Sequence, residues 1–132
     1  MSKAYYVATN GNDSNPGTID RPWRTIHKAA YTLKAGEGVL IRGGQYDISS
    51  PIIPSNSGSP NKYIVYRAYL NEEVVIRGNG STSTGILLKG KSYISFERLT
   101  VRNFQQGINC LAPGHHIIIR DCIFEYLSLI HI

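Results

Sequence analysis

The sequence predicts an all-β fold, a parallel β-solenoid, because one segment repeats in register. Residues 92–102 recur about 23 positions later, a repeat length in the solenoid range. The apolar residues Ile94, Phe96, Leu99 and Val101 land on Ile117, Ile119, Cys122 and Phe124. The charged residues Glu97, Arg98 and Arg102 land on the opposite charges Arg120, Asp121 and Glu125. Stacked parallel strands place equivalent residues above one another, where opposite charges attract by roughly 0.2–1 kcal/mol per pair.

The order of inward and outward residues within the repeat predicts a corner in each coil. Ile94 and Phe96 alternate inward, the next two residues are both charged, and Leu99 resumes the inward series. Short strands every 8–12 residues would also suit a sandwich or a barrel. Hairpin partners run antiparallel, however, and would not reproduce apolar and charged positions in the same order. We therefore expect about three to four solenoid coils.

Composition agrees with one turn-rich β domain. The chain has 132 residues, of which 42% are hydrophobic and 17% charged, with 13 Gly, 6 Pro and 9 Tyr. Its net charge of +5 favours an acidic partner, either a polyanionic glycan or a nucleic acid, and is equally typical of ordinary solubility. Because Arg98, Arg102 and Arg120 are assigned to charge pairs between coils, they are weak support for a ligand.

The N-terminal segment, residues 1–20, is predicted to be a cap strand followed by a turn-rich loop. A short strand at residues 5–8 precedes a loop at residues 9–18 that concentrates Asn, Asp, Ser, Gly and Pro. The spacing of Asn10, Asn12 and Asp13 is compatible with a calcium loop. The distant bidentate Glu of an EF-hand is missing, and we expect a plain turn there.

Residues 21–35 are predicted to contain an amphipathic helix that covers the first coil. Asp20 can cap it, and Pro22 is tolerated in the first turn. Gly36 is expected to end the helix. His27 lies off the apolar face and is expected to be a surface residue. That face consists of Trp23, Ile26, Ala30 and Leu33.

Residues 36–126 are predicted to form the coils. Val39 and Ile41 alternate inward before a bend at residues 43–44, and Ile64 and Tyr66 share one side of a later strand. Further strands are expected at residues 74–78 and 85–88, which precede the repeat. The segments between them are bounded by Gly, Asn or Pro, as turns require.

The two cysteines are interpreted as small buried hydrophobic residues. Cys122 falls in the inward series beside Leu99, and Cys110 aligns with Leu88. A disulfide stays open, and so does the compartment. The sequence has no apolar run of membrane-spanning length and no signal-peptide core, so we expect no membrane partner.

Four segments between residues 5 and 108 resemble the start of right-handed parallel β-helix proteins of the pectate-lyase-like superfamily, and the resemblance covers about the whole chain to Tyr126. The likeness lies in YYVATNGNDSNPGT, RPWRTIHKAAYTLKAGEGVLIRGGQY, KYIVYRAYLNEEVVIRG and GILLKGKSYISFERLTVRNFQQGI. It is closest to polysaccharide lyases that act on pectate, alginate or chondroitin. The resemblance implies a right-handed solenoid with an N-terminal capping helix, incomplete at its C-terminus.

The resemblance also implies a chemistry, which is β-elimination at a uronic acid. In such lyases a Lys or Arg is the base, and calcium or a neutralising side chain stabilises the enolate-like intermediate. No position here matches a catalytic motif, so the catalytic and substrate-binding residues are unknown. We expect no metal or cofactor in this chain, with calcium reserved for a longer parent protein. Lys89, Lys91 and the adjacent His115 and His116 are expected to be solvated turns, the two histidines pointing opposite ways.

Two functions follow from these observations. The parent protein is expected to bind or cleave an acidic polysaccharide, while this chain is an inactive N-terminal portion. The alternative is a non-enzymatic β-helix scaffold, such as a phage tail-spike or a surface adhesin, which the missing signal peptide favours. The compartment is unknown, with a secreted or phage-associated parent expected. Nucleic acid is not expected, because tyrosines such as Tyr63, Tyr66 and Tyr69, beside Arg67, more often form ladders than stacking sites in a β-helix.

The last six residues, 127–132, are expected to be a non-native tail. They lack the turn signals and polar alternation of the preceding coil, and they resemble a translated library adapter at the end of a truncated environmental reading frame. A genuine strand that begins the next coil is the alternative. In either case we expect the last coil to present an unpaired edge, through which copies of the chain would self-associate.

Overall fold

The computed structural model describes residues 1–112 and 114–125, which form eleven strands and one helix. The expected tail at residues 127–132 lies outside these residues. In chain order the elements are β1 (Lys3–Val7), α1 (Ile26–Thr32), β2 (Glu37–Ile41), β3 (Gly44–Asp47), β4 (Ile64–Ala68), β5 (Val74–Arg77), β6 (Thr84–Lys89), β7 (Ile94–Glu97), β8 (Thr100–Arg102), β9 (Gln106–Ala112), β10 (Ile117–Arg120) and β11 (Ile123–Glu125).

The strands build three parallel sheets that wrap around one core, which confirms the predicted solenoid. The first sheet has the order β1-β2-β4-β7-β10, the second β11-β8-β5-β3, and the third β6-β9. Every neighbouring pair within them is parallel. From β4 onward the chain contributes one strand to each sheet in turn and then returns one layer further along. In the preceding coil an isolated parallel bridge between Ile52 and Ile86 stands in place of a strand of the third sheet.

The register of the last two coils is the one that the repeat predicts. Ile117 pairs with Ile94, Ile119 with Phe96, and Phe124 with Val101. The inward residues Ile94, Phe96 and Val101 belong to one hydrophobic core and are at most 1% exposed, whereas Ile119, in the last described coil, is 45% exposed. The Tyr66 and Phe96 rings stack inside it, 4.9 Å apart between centroids.

Two of the three predicted charge pairs form. Arg102 donates to the Glu125 carboxylate at 2.8 Å, and Arg120 lies 4.0 Å from Glu97. Glu97 has a closer partner in the preceding coil, since Arg67 Nε donates to it at 2.8 Å. It therefore lies in a row of alternating charge across three coils, a cross-strand arrangement that each adjacent pair stabilises.

The predicted pair between Arg98 and Asp121 was wrong. Both residues occupy the corner with left-handed backbone, at φ 56° and 55°. The Arg98 side chain turns back toward the preceding coil and donates to the Leu70 carbonyl at 2.8 Å. The same left-handed geometry recurs one corner earlier, at Tyr93 with φ 60° and His116 with φ 57°. Turns of this kind, rather than an ion pair, set the corner.

The cap helix is shorter than predicted and begins later. Thr25 is its N-cap, and its hydroxyl accepts from the Lys28 backbone N–H at 3.1 Å; Asp20, the expected cap, is exposed and lies outside the helix. Trp23 precedes the helix in an isolated bridge with Val7, where its backbone bonds to Tyr6 and Ala8. The predicted apolar face is nevertheless buried, because Trp23 packs beside the helix.

The cysteines differ from their predicted burial. Cys110 pairs with Leu88 as the alignment indicates, but its side chain is exposed, because β9 is the outer strand of the third sheet. Cys122 is half-buried against the core. Both thiols are free. In the described part of the chain, no helix is long and apolar enough to cross a membrane.

The two buried tyrosine hydroxyls provide a test of the core. The Tyr66 hydroxyl is buried and has no hydrogen-bond partner among the described residues, whereas the Tyr46 hydroxyl donates to the Arg42 carbonyl at 2.7 Å. Removing an unsatisfied buried hydroxyl relieves a desolvation penalty, while removing a satisfied one costs a hydrogen bond. We expect Tyr66→Phe to raise the free energy of unfolding by about 1 kcal/mol and Tyr46→Phe to lower it by about 1 kcal/mol. Urea denaturation measures both, and the opposite order would contradict this account.

The charge row through Glu97 predicts a dependence of stability on pH. Burial acts to raise the pKa of Glu97, but hydrogen bonds from Arg67 and Ser95 outweigh it and hold the pKa below its usual 4.5. A depressed native pKa gives stability that is complete above the unfolded value and is lost as pH falls through the folded one. Glu97→Gln should therefore lower stability by about 1–3 kcal/mol near pH 7 and by progressively less below pH 4.5. The control Glu73→Gln, at an exposed residue without an ion pair among the described residues, should lower stability near pH 7 by much less than Glu97→Gln.

Candidate functional site

A groove separates the N-terminal cap from the first strand of the second sheet. Its volume is about 400 Å³. One wall is cap backbone and side chains from Arg24 to His27, and the other is β3 with the three residues that follow it. Thr9 closes one end. Most side chains that line it are polar, so the groove is suited to a hydrated, hydroxyl-rich ligand.

The groove exists because the cap covers the three sheets unequally. In the first sheet β1 pairs directly with β2 and ends the stack. On the third side the Ser55 backbone N–H donates to the Ala30 carbonyl of the helix at 3.0 Å. In the second sheet β3 is the terminal strand, so the cap faces it across open space. A strand edge is thereby left facing the groove.

Asp13 holds the cap wall of the groove in place. One carboxylate oxygen accepts the backbone N–H groups of Arg24 and Thr25, each at 2.9 Å, and the other accepts the Thr25 hydroxyl at 2.7 Å. Burial acts to raise the pKa of Asp13, but these hydrogen bonds and the charge of Lys28 outweigh it and lower the pKa. The segment that carries Arg24 is therefore fixed before any ligand arrives.

Arg24 is the unpaired cation of the groove. Its side chain is exposed, and within residues 1–112 and 114–125 it makes no ion pair. Asp47 on the opposite wall is already engaged, since it accepts from Arg77 at 2.9 Å and from Gln45 at 3.2 Å. A guanidinium with free donors beside a neutralised carboxylate favours an anionic ligand group.

A hydrogen bond orients the His27 side chain. Its Nε2 lies 2.9 Å from the Ser50 carbonyl oxygen, which can only accept, so Nε2 carries the proton. The neutral ring then keeps its lone pair on Nδ1. His27 is the surface residue that the sequence predicts, but it lies in the wall of the groove rather than on an unstructured surface.

The groove continues past the first coil. A second recess of about 340 Å³ shares residues 47–49 with it and reaches Arg77 and Asn79 on the next coil. A third recess of about 430 Å³ shares Thr9 and is bounded by Arg42 and Glu72, which form an ion pair at 3.0 Å. Polar side chains thus follow one another across two coils, a length that suits several units of a chain-like ligand.

The expected turn at residues 9–18 is present. The Asn12 side chain accepts from the Ser14 N–H at 2.8 Å, which closes an Asx turn, and both Asp13 oxygens are engaged with the cap. Among the described residues, no three His, Cys, Asp or Glu side chains lie close enough to hold one metal. The one carboxylate of this loop is thus engaged by the cap, and calcium in a longer protein stays a prediction.

The other residues singled out in the sequence lie away from the groove. Lys89 ends β6, and Lys91 follows in the turn. Of the tyrosine set, Tyr66 is in the core and Tyr69 lies under Arg42, whose guanidinium carbon is 4.7 Å from the ring centroid. They do not form one stacking surface.

The two adjacent histidines contradict the expectation that they point apart. His115 Nδ1 and His116 Nδ1 are 2.7 Å from each other. The left-handed backbone at His116 swings its ring back toward its neighbour instead of to the opposite face.

Sequence reasoning missed the residues that line the groove. Arg24, Gln45, Asp47 and Arg77 come from different coils or from the cap, and no motif or periodicity connects them. The available signal was indirect: a cap must cover the end of a three-sided solenoid, and Arg24 lies in the segment that leads into its helix.

Together the fold and the groove define a class, the capped parallel β-helix with a polar groove along one sheet. The chain belongs to the family described as Pel9A-like, right handed beta helix region, whose model matches residues 5–129. This membership gives the handedness of the solenoid and confirms the pectate-lyase-like resemblance and the predicted fold class.

Individual relatives agree with the family. The chain is 33% identical over 129 residues to the uncharacterized protein YwoF of Bacillus subtilis strain 168, covering 88% of this chain and 27% of that protein. It is 40% identical over 73 residues to the pectate lyase PEL9 of Emericella nidulans, covering 55% of this chain and 18% of that one. The chain thus spans about a quarter or less of the length of these relatives.

A solved structure described as a rhamnogalacturonan lyase has the same fold. It superposes with a TM-score of 0.66 at 24% identity and covers 76% of this chain and 28% of its own. At that identity the likeness concerns the fold alone.

Proposed function

We propose that this chain contributes a carbohydrate-binding surface and that its ligand is an acidic polysaccharide. Arg24 carries the proposal, because its backbone is held by Asp13 and its side chain has no ion-pair partner in the described structure. The other residues that line the groove are mostly polar. Hydroxyl and amide groups suit the hydroxyls of a sugar, and a guanidinium suits the carboxylate of a uronate. The relative named as a pectate lyase and the structural neighbour named as a rhamnogalacturonan lyase support a carbohydrate ligand.

The shape of the groove supports a polymer rather than a single sugar. Its recesses join end to end through Thr9 and through residues 47–49. Arg77 and Arg42 each keep an acidic partner within the chain, at 2.9 and 3.0 Å. The number of free cations is therefore small, and we expect specificity for a uronate unit at one position together with tolerance along the rest of the chain.

Catalysis is a separate proposal that concerns the longer protein. Uronate β-elimination needs a base near the proton alpha to the carboxylate and a positive group at the carboxylate itself. Arg24 could serve the second role, whereas Lys89 and Lys91, the lysines weighed as candidates, lie outside the groove linings. We therefore expect this chain to bind without turnover.

Binding to polygalacturonate tests the proposal. Isothermal titration should show that the chain binds polygalacturonate more tightly than an uncharged glucan. Arg24→Gln should weaken polygalacturonate binding about tenfold or more, the value of one charge-assisted hydrogen-bonded contact. The matched control Arg21→Gln removes an equally exposed arginine of the cap loop outside the groove and should change affinity less than twofold. Equal losses in the two variants would indicate non-specific attraction and would overturn the proposal.

A lyase assay on this chain and on a longer protein that contains it distinguishes the lyase hypothesis from the scaffold hypothesis. Release of unsaturated product from pectate, alginate or chondroitin, followed by its absorbance, should be undetectable for this chain and detectable for a longer protein that contains it. Failure of a longer protein to act on any of the three polymers would favour the tail-spike or adhesin scaffold.

A second proposal, self-association, rests on the edge strands β10 and β11. Each ends its sheet among the described residues, and the apolar Ile119 and Ile123 are 45% and 56% exposed. Unpaired strand edges beside apolar surface favour pairing with another chain. Sedimentation velocity of this chain should show dimers or larger species as concentration rises, and Ile119→Lys should reduce them. A monomer over the whole concentration range would rule out the interface.

A further inference from the structure

The corner between the third and first sheets carries an aromatic stack that ends in two histidines. Tyr63 and Tyr93 meet edge to face at 5.5 Å, and the His116 ring stacks on Tyr93 at 4.6 Å with 13° between the planes. His115 contacts the edge of the same tyrosine at 5.2 Å. Both histidines are exposed, so the far side of the pair is open to solvent.

Hydrogen bonds to the preceding coil hold the backbone next to the two rings. The His115 N–H donates to the Ser92 hydroxyl at 3.0 Å, and its carbonyl accepts from the Tyr93 N–H at 3.2 Å. His116 takes the left-handed conformation, at φ 57°, directly above Tyr93, at φ 60°, in the preceding coil. The solenoid repeat therefore holds the backbone of the histidines, and contact with Tyr93 orients their rings, which reduces the side-chain entropy that a ligand would cost on binding.

The distance between the two Nδ1 atoms is compatible with one kind of metal site. His115 Nδ1 and His116 Nδ1 lie 2.7 Å apart. Metal–imidazole bonds are about 2.0–2.1 Å long, so two of them at a right angle hold the nitrogens about 2.9 Å apart, whereas a tetrahedral angle requires about 3.4 Å. Right angles between nitrogen ligands are typical of square-planar copper(II) and nickel(II), and copper(II) binds nitrogen sites most strongly among the divalent ions of the first row.

We propose that His115 and His116 form a two-nitrogen binding site for copper(II). Without metal, one imidazole donates its Nδ1 proton to the other; on binding, that proton moves to Nε2 of the same ring, and both Nδ1 lone pairs bind the metal. No third His, Cys, Asp or Glu of the described residues joins them. The remaining in-plane positions are filled by water, which makes the site accessible to small ligands.

Electron paramagnetic resonance with copper sulfate tests the site on the intact chain. One equivalent of copper should give a signal split by two imidazole nitrogens, and isothermal titration should give a single strongest site. His115→Gln and His116→Gln should each lower affinity tenfold or more and reduce the splitting to one nitrogen. His27→Gln, which removes a histidine at the groove, should change neither.

Two further measurements make the outcome decisive. Tyr93→Leu keeps both ligands but removes the stack, and it should weaken copper binding severalfold while circular dichroism shows an intact β fold. Zinc should bind more weakly than copper, because its tetrahedral preference does not fit the spacing. Equal copper affinity in wild type and both histidine variants, or a wild-type signal without two nitrogens, would overturn the proposal.

Discussion

Stacking of one coil directly on another is the constraint on which the rest of this structure depends. Parallel strands in register place equivalent residues of successive coils above one another, so the neighbours in the adjacent coils constrain each position. The core column through Ile64, Ile94 and Ile117 and the outer row through Arg67, Glu97 and Arg120 are products of the same spacing. Apolar burial supplies most of the stabilisation, while the outer row excludes shifted registers.

The same stacking explains why the groove lies where it does. A solenoid must end, and its first coil has three sides to cover with one short strand, one short helix and the loop between them. The strand and the helix cover two sides. On the third, the loop is tied down by Asp13 at a distance from β3, and the gap becomes a polar groove. The groove thus results from incomplete coverage of the first coil, and the loop that leaves this gap also positions Arg24.

Much of the fold could be predicted from the sequence because each coil of the solenoid repeats the same pattern of apolar and charged residues. The register of residues 94–102 on 117–125, the corner after Glu97 and the buried face of the cap all follow from local patterns. The predictions that were wrong concern where a side chain points or what covers it, which the repeat period does not determine. Arg98 and Asp121 are equivalent residues, but the left-handed backbone directs the Arg98 side chain to a carbonyl. Cys110 pairs with the predicted residue, Leu88, but among the described strands nothing covers the other side of β9. The groove could not be predicted, because its residues are brought together only by how the cap lies on the first coil.

The left-handed corners have a consequence for how such a chain can change length. Equivalent strands begin after corner residues with nearly the same backbone φ angle. These residues are Tyr93 and His116 at one corner, and Arg98 and Asp121 at the next. A whole coil is therefore an interchangeable module: insertion or removal of one complete repeat leaves every later residue on the same side of its sheet. Loss of a single residue would instead turn Glu97 or Arg120 toward the apolar interior. Over evolutionary time the fold should thus grow and shrink in whole coils, while the cap and its groove stay unchanged at one end.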